Sequence, residues 1–244
     1  MAKQMIRTVF MITSAINTKF GVYSAQQRLD QTLATIASVR QHVPDAKIFL
    51  LEMAGLPLAA EQAAALSANV DSVLDFTGDP DVVGLYNSTD NWDVVKNVTE
   101  VMCFSKALKR LYRDTIKFEN TDRVFKLSGR YQLNKEFDLG WYDNYKTQHL
   151  ITVGASRSSQ FPYTTTLVER QYMSRLWSWP TKLTNEVIDV YDRGLVYMGE
   201  RLAQGGYVDI EHMLYKFLDP AKLIEKQIVG LEGNIAPNGL AVKD

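Results

Sequence analysis

Cysteine is almost missing from this sequence: Cys103 stands alone among 244 residues. A single thiol excludes an intramolecular disulfide and a cysteine metal cluster. Its neighbours Val101, Met102 and Phe104 make it a small packed hydrophobe rather than a nucleophile. Long apolar runs are missing too, and nothing approaches the roughly 20 residues of a membrane-spanning helix. The opening Met1-Ala2-Lys3-Gln4, leading into Thr8-Val9-Phe10-Met11-Ile12, has too short an apolar stretch for a secretory leader and no cleavage site. An excess of charge is absent as well, with 27 basic against 28 acidic residues and a net charge of −1. Nucleic acid or an anionic membrane would favour a basic surface, so neither is expected as the main partner. The chain reads as cytoplasmic. Asn87-Ser88-Thr89 and Asn97-Val98-Thr99 match the glycosylation sequon, a triplet common by chance.

Three glycine-bearing motifs are also lacking. Without G-x-G-x-x-G after the first strand, a Rossmann dinucleotide site is not expected. Without G-x-x-x-x-G-K-[ST] there is no P-loop, and without G-x-S-x-G an α/β-hydrolase is disfavoured.

What is present is an alternation of strand and helix. Thr8 to Ser14 is a short apolar run, as in a buried parallel strand. Ser24-Ala25-Gln26-Gln27 fits a capping box. It opens a helix with Leu29, Leu33, Ile36, Val39 and Val43 on helical spacing, closed by Pro44. Lys47 to Glu52 is a second strand, about 59 to 68 an alanine-rich helix, and Val70 to Phe76 a third strand. Residues 77 to 93 read as a polar loop and about 97 to 113 as a helix. Val124 to Leu127 is the fourth strand. This order predicts an α/β fold, a mostly parallel sheet flanked by helices, in a single domain. Farther on, 149 to 154 reads as a strand and 156 to 166 as a polar loop. Helices are expected near 167 to 177, 184 to 204 and 209 to 218. No repeat or linker divides the chain.

Ligands in an open parallel sheet bind beyond the carboxyl ends of the strands. There the first strand offers Thr13, Ser14 and Ala15, the second Glu52, the third Asp75, and the fourth runs into Ser128-Gly129-Arg130-Tyr131. Carboxylates and cations without a glycine cradle suit a nucleoside carrying a diphosphate. A second candidate is Asp209-Ile210-Glu211-His212. With Ile210, Met213, Leu214, Phe217 and Leu218 forming an apolar stripe, Glu211 flanks it and His212 faces away. Both sit in a first helical turn, where the helix dipole favours a carboxylate. Trp141, Tyr142, Trp177 and Trp179 are candidate stacking surfaces for sugar rings, or core.

The strand ending in Thr13-Ser14-Ala15 carries a resemblance, with the helix Arg28-x-x-Gln31-Thr32-Leu33-x-Thr35-Ile36-x-Ser38-Val39-Arg40 and Pro44-Asp45-Ala46-Lys47-Ile48 into Leu51-Glu52. Together they resemble the nucleotide-binding half of GT-A glycosyltransferases, a Rossmann-like α/β fold. Phe125-Lys126-Leu127-Ser128-Gly129-Arg130-Tyr131-x-Leu133 is similar to a signature of small capsule-type and cyanophage-encoded glycosyltransferases, which would place the protein in a host's cytoplasm. The resemblance implies a nucleotide-binding half at 1–135 and an acceptor and catalytic half at 136–244. It implies a nucleotide-sugar donor, UDP-linked, and a glycan or other hydroxyl acceptor. Thr13, Ser14, Ala15 and Glu52 would hold the nucleoside, and Lys126, Ser128 and Arg130 would face the diphosphate. Arg28, near a helix start after the Gly21-Val22-Tyr23 loop, could reach the diphosphate or be a surface arginine. The GT-A family carries Asp-x-Asp at the fourth strand's end, holding a divalent cation such as Mn²⁺ or Mg²⁺. Here Ser128-Gly129-Arg130 stands instead, and Arg130 could take part of the metal's role. The alternative is that Lys126 and Arg130 are solvated or pair with an acid such as Asp138. Asp79-Pro80-Asp81 lies one β-α unit early and reads as a polar turn. By the same resemblance, Glu211 would be the catalytic base and His212 a metal ligand. A nucleotidyltransferase-like enzyme and a catalytically degenerate sugar- or nucleotide-binding module are the competing expectations.

Overall fold

Residues 6–113, 118, 120–145, 148–234 and 239–244 are described by the structure, a computed structural model. Residues 1–5, read above as no leader, lie outside them. The first half runs β1 (Thr8–Ser14), α1 (Ala25–His42), β2 (Lys47–Glu52), α2 (Ala60–Ser67), β3 (Ser72–Asp75), α3 (Pro80–Ser88), α4 (Trp92–Arg113), β4 (Arg123–Ser128) and β5 (Tyr131–Leu133). The second half continues with α5 (Leu139–Asn144), β6 (Ile151–Gly154), β7 (Arg157–Ser158), α6 (Tyr163–Thr166), β8 (Arg170–Gln171), β9 (Leu176–Pro180), α7 (Thr184–Ala203), α8 (Ile210–Phe217), β10 (Leu223–Lys226), β11 (Leu231–Asn234) and β12 (Ala241–Lys243).

Among the described residues the central sheet has seven strands in the order β10-β6-β9-β4-β1-β2-β3. Only β9 runs against its neighbours. The register sets Ser14 beside Glu52 and Thr13 beside Ser128, so the carboxyl ends of β1, β2 and β4 finish level. Strands from both halves of the chain build this one sheet. Alternate residues of β1 feed opposite faces. Val9 and Met11 pack with Phe104 and Leu108 of α4, Tyr191 of α7 and Met213 of α8. Phe10 and Ile12 pack with Leu29, Ile36 and Val39 of α1. The expected mostly parallel α/β sheet is therefore present, with helices on both sides.

Two local expectations are corrected. The polar stretch 77–93 is largely helical. Asp79 accepts from the Asp81 amide with Pro80 in the first turn, starting α3, and Asn91 Oδ1 accepts from the Asp93 and Val94 amides at the start of α4. Side-chain caps on both helices are what a count of polar residues hides. The helix expected at 167–177 is instead β8 and β9. Trp177 and Trp179 enter the same core cluster while Leu176 enters the other, an alternation suited to aromatic residues in a strand. The tail after α8 supplies three further strands, β10, β11 and β12.

Candidate functional site

A cleft of about 380 Å³ opens where β1, β2 and β4 end, within the range of roughly 300–1,000 Å³ usual for small-molecule sites. Thr13, Ser14 and Ala15 come from β1 and the turn after it, and Ser128, Gly129 and Arg130 from β4 and its turn. The segment after β1 adds Lys19, Phe20 and Gly21, α1 adds Arg28 and Thr32, and α4 adds Trp92, Lys96, Thr99 and Glu100.

Close backbone approach holds the β1 and β4 ends together. The Gly129 amide donates to Thr13 O at 2.8 Å, and Thr32 Oγ1 donates to Gly129 O at 3.2 Å. A Cβ at residue 129 would lie 2.9 Å from Thr13 O, so the turn that aims Arg130 requires glycine. The Arg28 guanidinium is tied to Phe20 O at 2.6 Å and Tyr23 O at 3.2 Å. Burial, then the like charge of Arg130, pushes it below the usual arginine range. Arg130 makes no side-chain hydrogen bond or ion pair among the described residues, and its Nε is shut from solvent without a partner. Lys96 likewise makes no hydrogen bond or ion pair among them; its ammonium lies 5.9 Å from the Trp92 ring centre.

Of the ten residues singled out from the sequence, the structure brings Thr13, Ser14, Ala15, Arg28, Ser128 and Arg130 together around the cleft. Four lie elsewhere. Glu52 is fully buried. Its carboxylate accepts from Ser14 Oγ at 2.6 Å and from the Ile16 and Ala54 amides at 2.9 and 3.1 Å. It ties down the turns that follow β1 and β2, and burial raises its pKa against the pull of those three bonds.

Lys126 is also fully buried. Its ammonium sits 2.6 Å from Glu100 Oε1 and donates to Ser128 Oγ and Ser174 O, each at 2.8 Å. Glu100 in turn accepts from Thr13 Oγ1 at 3.2 Å. Burial works to raise the Glu100 pKa, but Lys126 holds it below the ordinary carboxylate value. Neither Lys126 nor Arg130 pairs with Asp138, which instead caps α5.

Glu211 opens α8, where Oε1 accepts from Ser174 Oγ at 2.5 Å. Burial, then Asp209, raises its pKa. Ser174 thus links Glu211 to the Lys126–Glu100 pair beside the cleft. His212 does not face outward as its spacing suggested; it is fully buried beneath the segment carrying Ser159 and Phe161. Its Nδ1 lies 2.6 Å from Asp209 Oδ1 and its Nε2 lies 2.7 Å from Ser159 Oγ, so both ring nitrogens are engaged. Asp79 and Asp81 clamp Lys106 instead of lining the cleft. Trp177 and Trp179 lie against each other at a tilt of 33° in the core and offer no sugar platform.

Sequence reasoning missed Lys19, Lys96 and Glu100. Lys96 and Glu100 stand four apart on α4, a spacing that sets both on one helix face. Glu100 fell inside the helix expected at about 97 to 113 and Lys96 just before it, so the expected helix started too late to pair them, whereas α4 begins at Trp92.

The donor set does not suit a resident divalent cation. Among the described residues no three His, Cys, Asp or Glu side chains converge as a metal-binding group. The two carboxylates on the cleft, Asp90 and Glu100, are each held 2.6 Å from an ammonium, Lys19 and Lys126.

No family model matches the chain, and no curated protein matches it. Solved structures do. The mannosyltransferase Ktr4p from S. cerevisiae superposes with a TM-score of 0.52 at 8% identity, covering 89% of this chain and 68% of that one. A Desulfovibrio desulfuricans G20 protein assigned as a nucleotide-diphospho-sugar transferase gives a TM-score of 0.47 at 10% identity, over 91% and 80% of the two chains. The likeness to Ktr4p shows a shared fold.

Proposed function

We propose that this protein is a glycosyltransferase that takes its sugar from a UDP-sugar and delivers it to a hydroxyl of a glycan or other acceptor. One observation carries the proposal. Small polar residues, Thr13 to Ala15, and two arginines, Arg28 and Arg130, converge in one cleft at the carboxyl ends of β1 and β4. That is where an open parallel sheet takes a nucleotide, and the fold shared with a mannosyltransferase supports it.

In the reaction the acceptor oxygen bonds to the anomeric carbon as the bond from that carbon to the diphosphate oxygen breaks. Glu211 takes the hydroxyl proton. Its raised pKa, owed to burial and to Asp209, suits a general base. Arg130 meets the negative charge gathering on the departing diphosphate. Glu52 acts through the turns it ties rather than by touching the nucleoside. A binding module without turnover is favoured by one observation, that Glu211 does not line the cleft itself.

A thermal-shift panel of UDP, GDP, CDP and their sugars tests the binding. Ligand at 100 times its dissociation constant adds about 2.7 kcal/mol to stability. Selective stabilisation by UDP and a UDP-sugar is the expected result, and none by any nucleotide sinks the proposal. Release of UDP from the stabilising sugar nucleotide then separates an enzyme from a binding module.

A further inference from the structure

Four cations line the cleft, Lys19, Arg28, Lys96 and Arg130, against two carboxylates. Both carboxylates are already engaged: Asp90 with Lys19 at 2.6 Å, and Glu100 with the buried Lys126 at 2.6 Å. Arg28, Lys96 and Arg130 form no ion pair among the described residues. Arg28 is buried, and among the described residues its guanidinium is anchored to the carbonyls of Phe20 and Tyr23. Arg130 keeps a buried Nε with no acceptor. A buried donor without an acceptor is costly, and unpaired like charges held in one partly desolvated cleft are costly again. An anion with several oxygens relieves both.

A divalent cation would meet the reverse situation. It needs oxygen ligands, usually carboxylates beside the phosphates. Here it would have to strip Glu100 from the buried Lys126 or settle for the exposed Asp90 alone, and in either case sit among guanidinium groups.

We infer that Arg28, Lys96 and Arg130 together bind the diphosphate directly and that the site works without a divalent cation. The inference rests on the nucleotide-sugar reading for the source of the diphosphate; the cationic cluster itself is tested with a probe that carries no nucleoside. Guanidinium groups suit paired hydrogen bonds to phosphate oxygens, and Lys96 adds a mobile point charge from α4.

The test is calorimetric titration of the whole protein with inorganic pyrophosphate, UDP and uridine, first in EDTA and then with manganese. Pyrophosphate and UDP are expected to bind in EDTA with affinities within about threefold of those in manganese. Lys96→Gln and Arg130→Gln should each weaken both in EDTA by about tenfold to a hundredfold, the range for a lost hydrogen bond to a charged group. Uridine binding should stay unchanged. Both side chains are partly exposed, and an unaltered melting temperature shows that each variant folds. Arg28 is left intact because its burial makes a folding failure the expected outcome.

Binding of pyrophosphate and UDP that vanishes in EDTA and returns with manganese overturns the inference, while nucleotide recognition stands. Pyrophosphate binding in EDTA without any nucleotide binding upholds the cluster and removes the glycosyltransferase reading. Binding of neither under any condition removes both.

Discussion

The Lys126 ammonium lies 2.6 Å from Glu100 Oε1, with the lysine side chain wholly buried and the glutamate 13% exposed. The pair joins β4 to α4 directly beneath the cleft. Lysine in a buried strand has no other way to keep its charge except neutralisation, and Ser128 and Ser174 fill its remaining donor positions.

Breaking such a pair from one side is expected to cost about 3–5 kcal/mol, because a buried charge is left alone. Glu100→Leu should show this loss in urea unfolding. The double variant Glu100→Leu, Lys126→Met should recover much of it, since no charge then remains. Losses that simply add would show that the two side chains are not coupled.

Glu52 and Glu100 titrate in opposite senses. On Glu52 burial outweighs the bonds from Ser14, Ile16 and Ala54, so its folded pKa is raised. The folded state then holds the proton more tightly than the unfolded chain. The associated stability is full below the unfolded value of about 4.3 and is lost as pH rises through the raised value. On Glu100 burial is outweighed by Lys126, so its contribution is present above the unfolded value and lost as pH falls through the lowered one. Glu52→Gln keeps an acceptor for the two amides and a donor for Ser14 Oγ. Thermal melts from about pH 4 to 8 should show Glu52→Gln gaining on the wild type as pH rises. A constant difference across that range would remove Glu52 as a titrating group.

Gly129→Ala tests the turn that aims Arg130. The added Cβ would stand 2.9 Å from Thr13 O and 3.2 Å from Thr32 Oγ1, and a strand end and a helix cannot both retreat freely. A loss of about 1–3 kcal/mol in stability is expected from such overpacking. A weaker pyrophosphate affinity should accompany it in calorimetry. Wild-type stability and affinity together would mean that the β1–β4 junction is softer than its contacts imply.

Much of the fold was legible because β1, β2 and β4 are short apolar runs between helices with clear stops, such as Pro44 after α1. Five cleft residues, Thr13, Ser14, Ala15, Ser128 and Arg130, were legible for the same reason, since strand ends are where the topology places ligands; Arg28 was legible from its place near the start of α1. Lys96 was not, because α4 starts at a cap hidden among polar residues; Glu100 fell inside the expected helix, but without Lys96 one turn before it nothing marked its face. The stretch up to Trp177 was misassigned to a helix because one apolar spacing serves a buried strand and a helix alike. The burial of His212 depends on Ser159 and Phe161, some fifty residues earlier in the chain, a contact no local pattern encodes. Glu52 was placed at the right strand end but in the wrong direction: three donors converge on it from inside.

Glu211 is the remaining test, because it alone separates turnover from binding. It stands in the first turn of α8, bonded to Ser174 Oγ at 2.5 Å, while Ser174 O accepts from Lys126. Burial, then Asp209, raises its pKa. Glu211→Gln keeps the size and the hydrogen bond but cannot accept a proton. It should lower turnover by roughly 10²–10⁴ with nucleotide affinity nearly unchanged. Turnover is read as UDP released from the donor that the thermal-shift panel selects. Asp209→Asn gives an independent readout. Asparagine still caps a helix, but the like charge beside Glu211 is gone, so the Glu211 pKa should fall. A base works when deprotonated, and the acidic limb of kcat/KM should therefore move to lower pH in Asp209→Asn. A merely structural role for Glu211 would leave that limb in place. Near-normal release of UDP by Glu211→Gln would eliminate it as the base and leave Asp209 the next carboxylate to test.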